Sequence, residues 1–289
     1  MTAQWDTVTI VGVGLIGGSA GLALAKRGAA KKIIGVGRSD SSLEAAKELG
    51  AISEGTTNIR EGVADADFVL VATRVSVIGD QLEEIDTCVR PGTPITDAGS
   101  TKQSIVDRWE QSRSSRKGRF VGSHPLAGSH KRGPQAADPA LFEDKLTVLT
   151  PVESTPKSDT QSISAFWQLI GAQVCHLSPS EHDQLLASAS HAPHIVAAAL
   201  AAATPREAHR LTAGGWRDTT RIAAGDPDLW ADILLDNAKA VTAQIENFSQ
   251  VSDQLQHAIE EGDRPTPVSY THLRAHETLR YLVCRLLLE

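Results

Sequence analysis

The chain is poor in the residues that build several common kinds of protein. Its 289 residues hold three cysteines, Cys88, Cys175 and Cys284, and no C-x-x-C pair. That argues against a disulfide framework or a cysteine zinc site, and it fits a reducing compartment. Basic residues are outnumbered, 28 Lys and Arg against 35 Asp and Glu, for a net charge of -7. A general nucleic-acid binder would show the opposite balance, although a local basic pocket remains compatible with it. No apolar run approaches the roughly 20 residues of a membrane span, so no membrane role is expected. The first strand signal begins within a few residues of Met1 and leaves no room for a signal peptide, which points to the cytoplasm. Tyrosine is scarce too: both examples, Tyr270 and Tyr281, fall at the far end of the chain.

What is present is informative from the start. A β-branched run, Val8-Thr9-Ile10-Val11, leads directly into Gly12-Val13-Gly14-Leu15-Ile16-Gly17-Gly18-Ser19. A helical pattern comes next and closes at Gly28. This is G-x-G-x-x-G between a strand and a helix, the setting in which it binds a dinucleotide. Gly12 serves the tight turn, Gly14 lets a pyrophosphate approach the backbone, and Gly17 allows close helix packing. Leu15 and Ile16 begin the helix whose free N–H groups and dipole face the phosphates.

Strand and helix signals then alternate, which predicts a doubly wound parallel sheet with crossover helices. Strands are expected at 32–36, 66–72, 94–97, 119–122, 145–150 and 173–177, with helices at 42–49, from 104 and around 163–170. The character changes at Leu177. Ser178-Pro179-Ser180-Glu181 is a capping box with proline in the first helical position. Beyond it the chain is rich in Ala and Leu, with no convincing strand. The reading is a Rossmann-type dinucleotide-binding domain over 1–177, then an all-helical substrate and dimerisation domain over 178–267. Composition shifts abruptly near Pro267. Residues 268–289 resemble a stretch read through adaptor or vector DNA and are expected to be a non-native tail. The pair His272 and His276 is set aside for that reason.

Four segments carry chemistry, and two of them lie just after strands, where doubly wound sheets bind ligands. Asp97-Ala98-Gly99-Ser100-Thr101-Lys102 comes after the fourth expected strand. Ser123-His124-Pro125-Leu126-Ala127-Gly128-Ser129 comes after the fifth. Ser190-His191-Ala192-Pro193-His194 lies in the first long helix of the helical domain. Gly214-Gly215-Trp216-Arg217-Asp218-Thr219-Thr220-Arg221-Ile222-Ala223 opens another helix there. With the glycine turn, these resemble in order the motifs of the prephenate/arogenate dehydrogenase family, and the resemblance runs to about residue 260.

The resemblance implies NAD or NADP on the N-terminal domain and a homodimer through the helical one. It implies oxidative decarboxylation of a cyclohexadienol bearing at least two carboxylates, prephenate or arogenate. Such chemistry needs a base at the ring hydroxyl and a cation for a carboxylate; it needs neither a metal nor a covalent nucleophile. His124 fits the base, since imidazole titrates near neutral pH; read alone, it could simply end a strand before Pro125. Ser100 would touch the same hydroxyl or orient His124, and could also N-cap the next helix. Arg221 suits a bidentate carboxylate contact, with Arg217 one turn earlier. On residues alone the two arginines could form a solvated face in which Asp218 pairs locally. His191 and His194 lack a third metal ligand; one is expected to cap or pack in the core, while His194 reaches a substrate carboxylate. Ser129 and His130 fall in the loop that lines the substrate side-chain pocket in this family.

The carboxylate that usually holds the ribose of NAD is missing. Gly37 stands at its place, with Arg38 and Ser39 after it, which favours NADP, although Asp40 could still serve NAD. Thr73 lies where the nucleotide passes, and Arg74 stands where the family commonly has proline. Two other classes fit parts of the pattern. A β-hydroxyacid dehydrogenase or imine reductase would need a catalytic lysine or tyrosine in the helical domain, where Lys239 is the only lysine. A nucleotide-binding sensor without turnover would leave His124 and Arg221 unexplained.

Overall fold

Alternate residues of the central strands face two different cores. Val8 and Ile10 of β1 (Trp5–Val11) join Phe68 and Leu70 of β4 (Phe68–Val71) on one side of the sheet. Val11 joins Val69 and Val71 on the other. A strand buried on both faces must read as a continuous apolar run, and it does so here because helices cover both sides. The computed structural model describes residues 4–111, 116–129, 131–266 and 269. His130 and the expected tail, apart from Ser269, lie outside the described residues.

After β1 come α1 (Leu15–Arg27), β2 (Ala30–Val36), α2 (Asp40–Glu48), β3 (Glu54–Thr56), α3 (Ile59–Val63), β4 (Phe68–Val71), α4 (Val75–Cys88), β5 (Pro94–Asp97), α5 (Gln103–Gln111) and β6 (Arg119–Pro125). Next are β7 (Leu146–Thr150), α6 (Lys157–Leu169) and β8 (Gln173–His176). The sheet order is β3-β2-β1-β4-β5-β6-β7-β8, whose first six strands have the doubly wound dinucleotide-binding arrangement. Two expectations need correction. The sheet is not wholly parallel: β7 runs antiparallel to β6, with His124 opposite Val148. A short edge strand, β3, was also not anticipated; its Glu54-Gly55-Thr56 carries no apolar signal because it borders only β2.

Stacked aromatic rings fill one core. Phe68 lies parallel to Phe166 of α6, with centroids 4.3 Å apart, and Trp5 packs edge-on against Phe166. Trp167, fully buried, donates its indole N–H to Ser123 at 3.0 Å and so ties α6 to the strand that carries His124.

The chain divides into two compact units, residues 1–237 and 238–289. Within the first, the helical part comprises α7 (Pro179–Leu186), a π-helical turn at Ala187–His191, α8 (Ala192–Ala203), α9 (Gly214–Thr220) and α10 (Pro227–Asp236), with short 3-10 turns at Arg206–Leu211 and Arg221–Ala224. The capping box at Ser178 and Glu181 is formed in full. Pro193 removes a backbone donor just after the π turn, which favours the altered ladder there. The continuous helical run 179–203 is long and apolar enough to cross a membrane by length and composition. It does not read as one apolar run because Glu181, His182, Asp183 and His191 interrupt it; the last three are buried against protein groups. The second unit contains one long helix, α11 (Ala238–Glu260).

Candidate active site

The glycine turn is shaped for a dinucleotide. Gly12 has φ +96°, and a side chain there would lie 2.5 Å from the Ala72 carbonyl oxygen at the end of β4. A Cβ on Gly17 would sit 1.9 Å from the Gly12 carbonyl oxygen, so helix and turn touch backbone to backbone. Gly14 is different: nothing lies within 4 Å of its Cβ position. It is the N-cap of α1 and offers no side-chain cap, so the first-turn N–H groups over Leu15 and Ile16 remain available to an anion. Open space at Gly14, between two closed contacts, fits a pyrophosphate. Thr73 sits beside the turn, its hydroxyl bonded to Gln81 at 2.5 Å.

At the end of β2, Gly37 carries no side chain, and Arg38 is exposed with no ion pair among the described residues. Ser39 is the N-cap of α2, accepting from the Ser42 amide at 3.4 Å, and its hydroxyl lies 2.8 Å from that of Ser42. Arg74 finds a partner that explains its presence in place of proline. It pairs with Asp232 of α10 at 3.7 Å, and Ser76 donates to the same carboxylate at 2.7 Å. One turn further along α10, Asp236 accepts from Thr101 at 2.5 Å and Ser104 at 2.7 Å. Two acids at i and i+4 thus hold α10 against the segments just beyond β4 and β5.

His124 lies inside β6 and is half-buried. Its Nδ1 is 2.9 Å from Nε2 of His182 in α7, and Nδ1 of His182 is 2.8 Å from the Asp183 carboxylate. That carboxylate also accepts the backbone N–H of Lys102 at 2.8 Å and of Gln103 at 2.9 Å. The start of α5 is therefore capped by Asp183, not by Ser100. The expected capping role of Ser100 is corrected, and its hydroxyl is left without a protein partner among the described residues. Asn237 donates to the Asp183 carbonyl at 2.7 Å and to Nδ1 of His191 at 3.1 Å.

Lys102 and Asp97 form an ion pair with both side chains fully buried. Asp97 also accepts the Ser123 amide at 3.0 Å and the Gly99 amide at 2.8 Å. A buried charge is tolerated only when it is paired and hydrogen-bonded, and this pair is. Its consequence is electrostatic. Burial, the neighbouring His182 and the Lys102 ammonium hold His124 well below the usual histidine range, so the ring is neutral at pH 7. Burial likewise lowers His182, against the pull of Asp183. Burial works to raise Asp183, but bonds from His182, Gln103 and Lys102 outweigh it and keep the carboxylate ionised.

The remaining candidates divide. His191 is 1% exposed, and burial takes it down to about 4, so it is a neutral packed histidine, as expected of one of the pair. His194 is not placed on an open surface: it is 8% exposed and stacked on Trp230, with centroids 3.6 Å apart. Its Nδ1 is buried with no hydrogen-bond partner, and its ring is drawn toward the Ile222 backbone, next to Arg221. Arg217 in the middle of α9 and Arg221 just after that helix are exposed. Neither pairs with an acid among the described residues, so the local pairing with Asp218 is not formed. Ser129 is exposed and accepts the Lys131 amide at 3.1 Å. Arg132, further along that loop, pairs at 2.9 Å with Asp226, the N-cap of α10. His130 lies outside the described residues.

Sequence reasoning missed His182, Asp183, Asn237 and Trp230. The one available signal was the adjacent pair His182-Asp183 near the start of a capped helix, and it does not stand out beside Ser180, Glu181 and Gln184 of the same helix. Together these contacts link the end of β6 to the segment bearing Arg221, through His182, Asp183, Asn237, His191, Trp230 and His194.

A doubly wound sheet, an open glycine turn after β1 and a neutral histidine near the carboxyl end of β6 define an NAD(P)-dependent oxidoreductase. Comparison with known sequences gives its kind. The family model for the nucleotide-binding domain of prephenate dehydrogenase matches residues 20–176, and that for its dimerization domain matches residues 178–273. The chain belongs to the prephenate dehydrogenase family. It is 38% identical over 270 residues to a prephenate dehydrogenase of Bacillus subtilis, covering 91% of this chain and 72% of that one. Among solved structures it is similar to prephenate dehydrogenase from Aquifex aeolicus in complex with hydroxyphenyl propionate and NAD+. There the TM-score is 0.85 at 32% identity, over 93% of this chain and 96% of that one. Synechocystis arogenate dehydrogenase gives a TM-score of 0.81 at 29% identity, covering 95% and 99%.

Proposed function

We propose that the chain oxidises and decarboxylates prephenate or arogenate with His124 as the base, giving 4-hydroxyphenylpyruvate or tyrosine. The observation that carries this reading is the neutral His124 ring, whose Nδ1 is engaged by His182 while Nε2 has no protein partner among the described residues. Bound NAD(P)+ supplies the hydride acceptor. His124 takes the ring hydroxyl proton as the carbinol carbon gives up its hydride. The ring then expels CO2, the electron pair of the broken bond aromatises it, and the proton returns to the phenolic oxygen. Neutral imidazole is the form that can accept that proton.

Ser100, whose hydroxyl has no protein partner among the described residues, is assigned to the same substrate oxygen. Arg221 is assigned to a carboxylate, supported by its exposure and lack of an acidic partner; Arg217 and the unpartnered Nδ1 of His194 stand in support. Ser129 and His130 are assigned to the side-chain end of the substrate. Gly12, Gly14, Leu15, Ile16, Gly17 and Thr73 take the dinucleotide. Gly37 in place of a carboxylate, with Arg38 unpaired among the described residues and the Ser39 hydroxyl, favours NADP over NAD. The functional division is 1–177 for the cofactor and 178–267 for substrate and homodimer contacts, acting in the cytoplasm in tyrosine biosynthesis.

The test is a set of four assays of the purified protein, prephenate and arogenate each with NAD+ and NADP+, tracking reduced nicotinamide and released CO2. Equal amounts of both products are expected with at least one substrate. Tight cofactor binding without turnover of either substrate would overturn the reading.

A further inference from the structure

The bonds around His124 fix where its protons sit, beginning at the Asp183 carboxylate. That carboxylate accepts the Lys102 and Gln103 amides, and it is ionised at neutral pH. An ionised carboxylate has no proton to give. Nδ1 of His182, 2.8 Å away, must therefore be the N–H that donates to it. A neutral imidazole carries one N–H, so Nε2 of His182 holds a lone pair. Nδ1 of His124 lies 2.9 Å from that lone pair and must donate to it. The neutral His124 ring then has its lone pair on Nε2, the nitrogen without a protein partner.

We propose that His182 and Asp183 are positioning residues that set the tautomer of His124, so that the basic nitrogen and not an N–H faces the substrate hydroxyl. The proposal rests on His124 being the base. Neither residue needs to touch substrate or cofactor. Asp183 reads the start of α5 with both oxygens, and His182 carries that orientation across α7 to β6. When His124 accepts the proton, the new positive charge is shared along the chain toward Asp183. The other charged or titratable groups facing His124 are Lys102, neutralised by Asp97, and His191, kept neutral by burial. Neither of these supplies the negative end of the chain. The same logic applies wherever a carboxylate orients a catalytic histidine, and reversing the tautomer there costs orders of magnitude in rate while leaving the fold intact.

Three variants test this: Asp183→Asn, His182→Leu and His182→Gln. An amide at 183 either keeps a neutral oxygen toward Lys102 and His182, a weaker acceptor than the carboxylate, or turns its NH2 there at the cost of the Lys102 bond, flipping both rings and leaving Nε2 of His124 protonated. Asp183→Asn and His182→Leu are expected to lower kcat roughly 10²–10⁴-fold with cofactor Kd unchanged. His182→Gln can still accept from Nδ1 of His124 and is expected to recover most of that loss, which a merely structural role would not predict. Nitrogen-15 NMR of the imidazoles reads the tautomer directly, without turnover: wild type should show His124 protonated on Nδ1, and Asp183→Asn a larger share protonated on Nε2. Because Asp183 also caps α5, Asp183→Asn is read only alongside thermal melting and cofactor binding, and His182→Leu carries the test if that variant does not fold. Folded variants with wild-type kcat, or a wild-type His124 protonated on Nε2, would overturn the proposal. Loss of the base assignment is a separate outcome, since it would appear as full turnover in His124→Ala whatever the NMR tautomer.

Discussion

Trp230 lies flat on His194, with the ring planes 10° from parallel. Gly225 makes that stack fit: a Cβ there would come within 2.2 Å of the indole nitrogen. The backbone at Gly225 has φ -67°, open to any residue, so a side chain acts only by pushing the indole. Gly225→Ala is expected to raise substrate KM up to about tenfold, the order of one aromatic contact, while cofactor affinity holds. Steady-state kinetics with each ligand varied in turn would check it.

His124→Ala removes the base and should lower kcat roughly 10²–10⁴-fold. Cofactor Kd, measured by fluorescence of bound reduced nicotinamide, should stay near wild type. Because His124 is held below the usual histidine range, the acid limb of kcat/KM should fall below pH 6.5. A wild-type profile already losing activity at pH 7 would contradict that.

Arg221→Ala should act chiefly on binding. A charge-assisted contact is worth about 1.5–3 kcal/mol, so KM should rise roughly 10- to 100-fold with little change in kcat. Arg221→Lys should recover only part of this, since a single ammonium cannot reproduce the bidentate fork.

Arg38→Ala should weaken NADP binding roughly tenfold or more and leave NAD binding nearly unchanged. Gly37→Asp should move preference toward NAD by supplying a ribose-binding carboxylate. Isothermal titration with the two nucleotides measures both effects.

Stability should fall in acid. His191 drops from the ordinary 6.5 to about 4 in the folded chain, so the unfolded chain binds the proton more readily. The stabilisation is complete above pH 6.5 and is lost as pH falls toward 4, to the extent of about 3 kcal/mol. His191→Gln should lose correspondingly less between pH 7 and pH 4 in urea unfolding.

The parts legible in sequence were those carried by local rules. Gly12, Gly14 and Gly17 sit where the turn requires them, and β5 spans the residues expected, because the local chain dictates both. The antiparallel course of β7 was not legible, since Leu146–Thr150 reads the same in either direction. Edge strand β3 was invisible because it buries almost nothing. His124 could be singled out from its place near a strand end, but its partners His182 and Asp183 lie 58 and 59 residues away, and only the tertiary packing of α7 joins them. Ser100 was ambiguous for the same reason: whether it caps α5 depends on a carboxylate from another helix. His194 was expected at a substrate carboxylate, and its burial under Trp230 comes from α10, which has no sequence link to it.

The π-helical turn at 187–191 has one residue more than an α-helix would use there. In an uninterrupted α-helix each residue advances the direction of its side chain by about 100°. A residue lost from the regular helix on either side would swing everything beyond it by that amount, whereas deleting one alanine or serine from the wide turn lets the ladder close to an α-helix with His191 still at Asn237 and His194 still at Trp230. The wide turn is thus the place where this helix can give up a residue and keep its histidines aligned, while the same loss elsewhere along it would keep every motif yet lose their alignment.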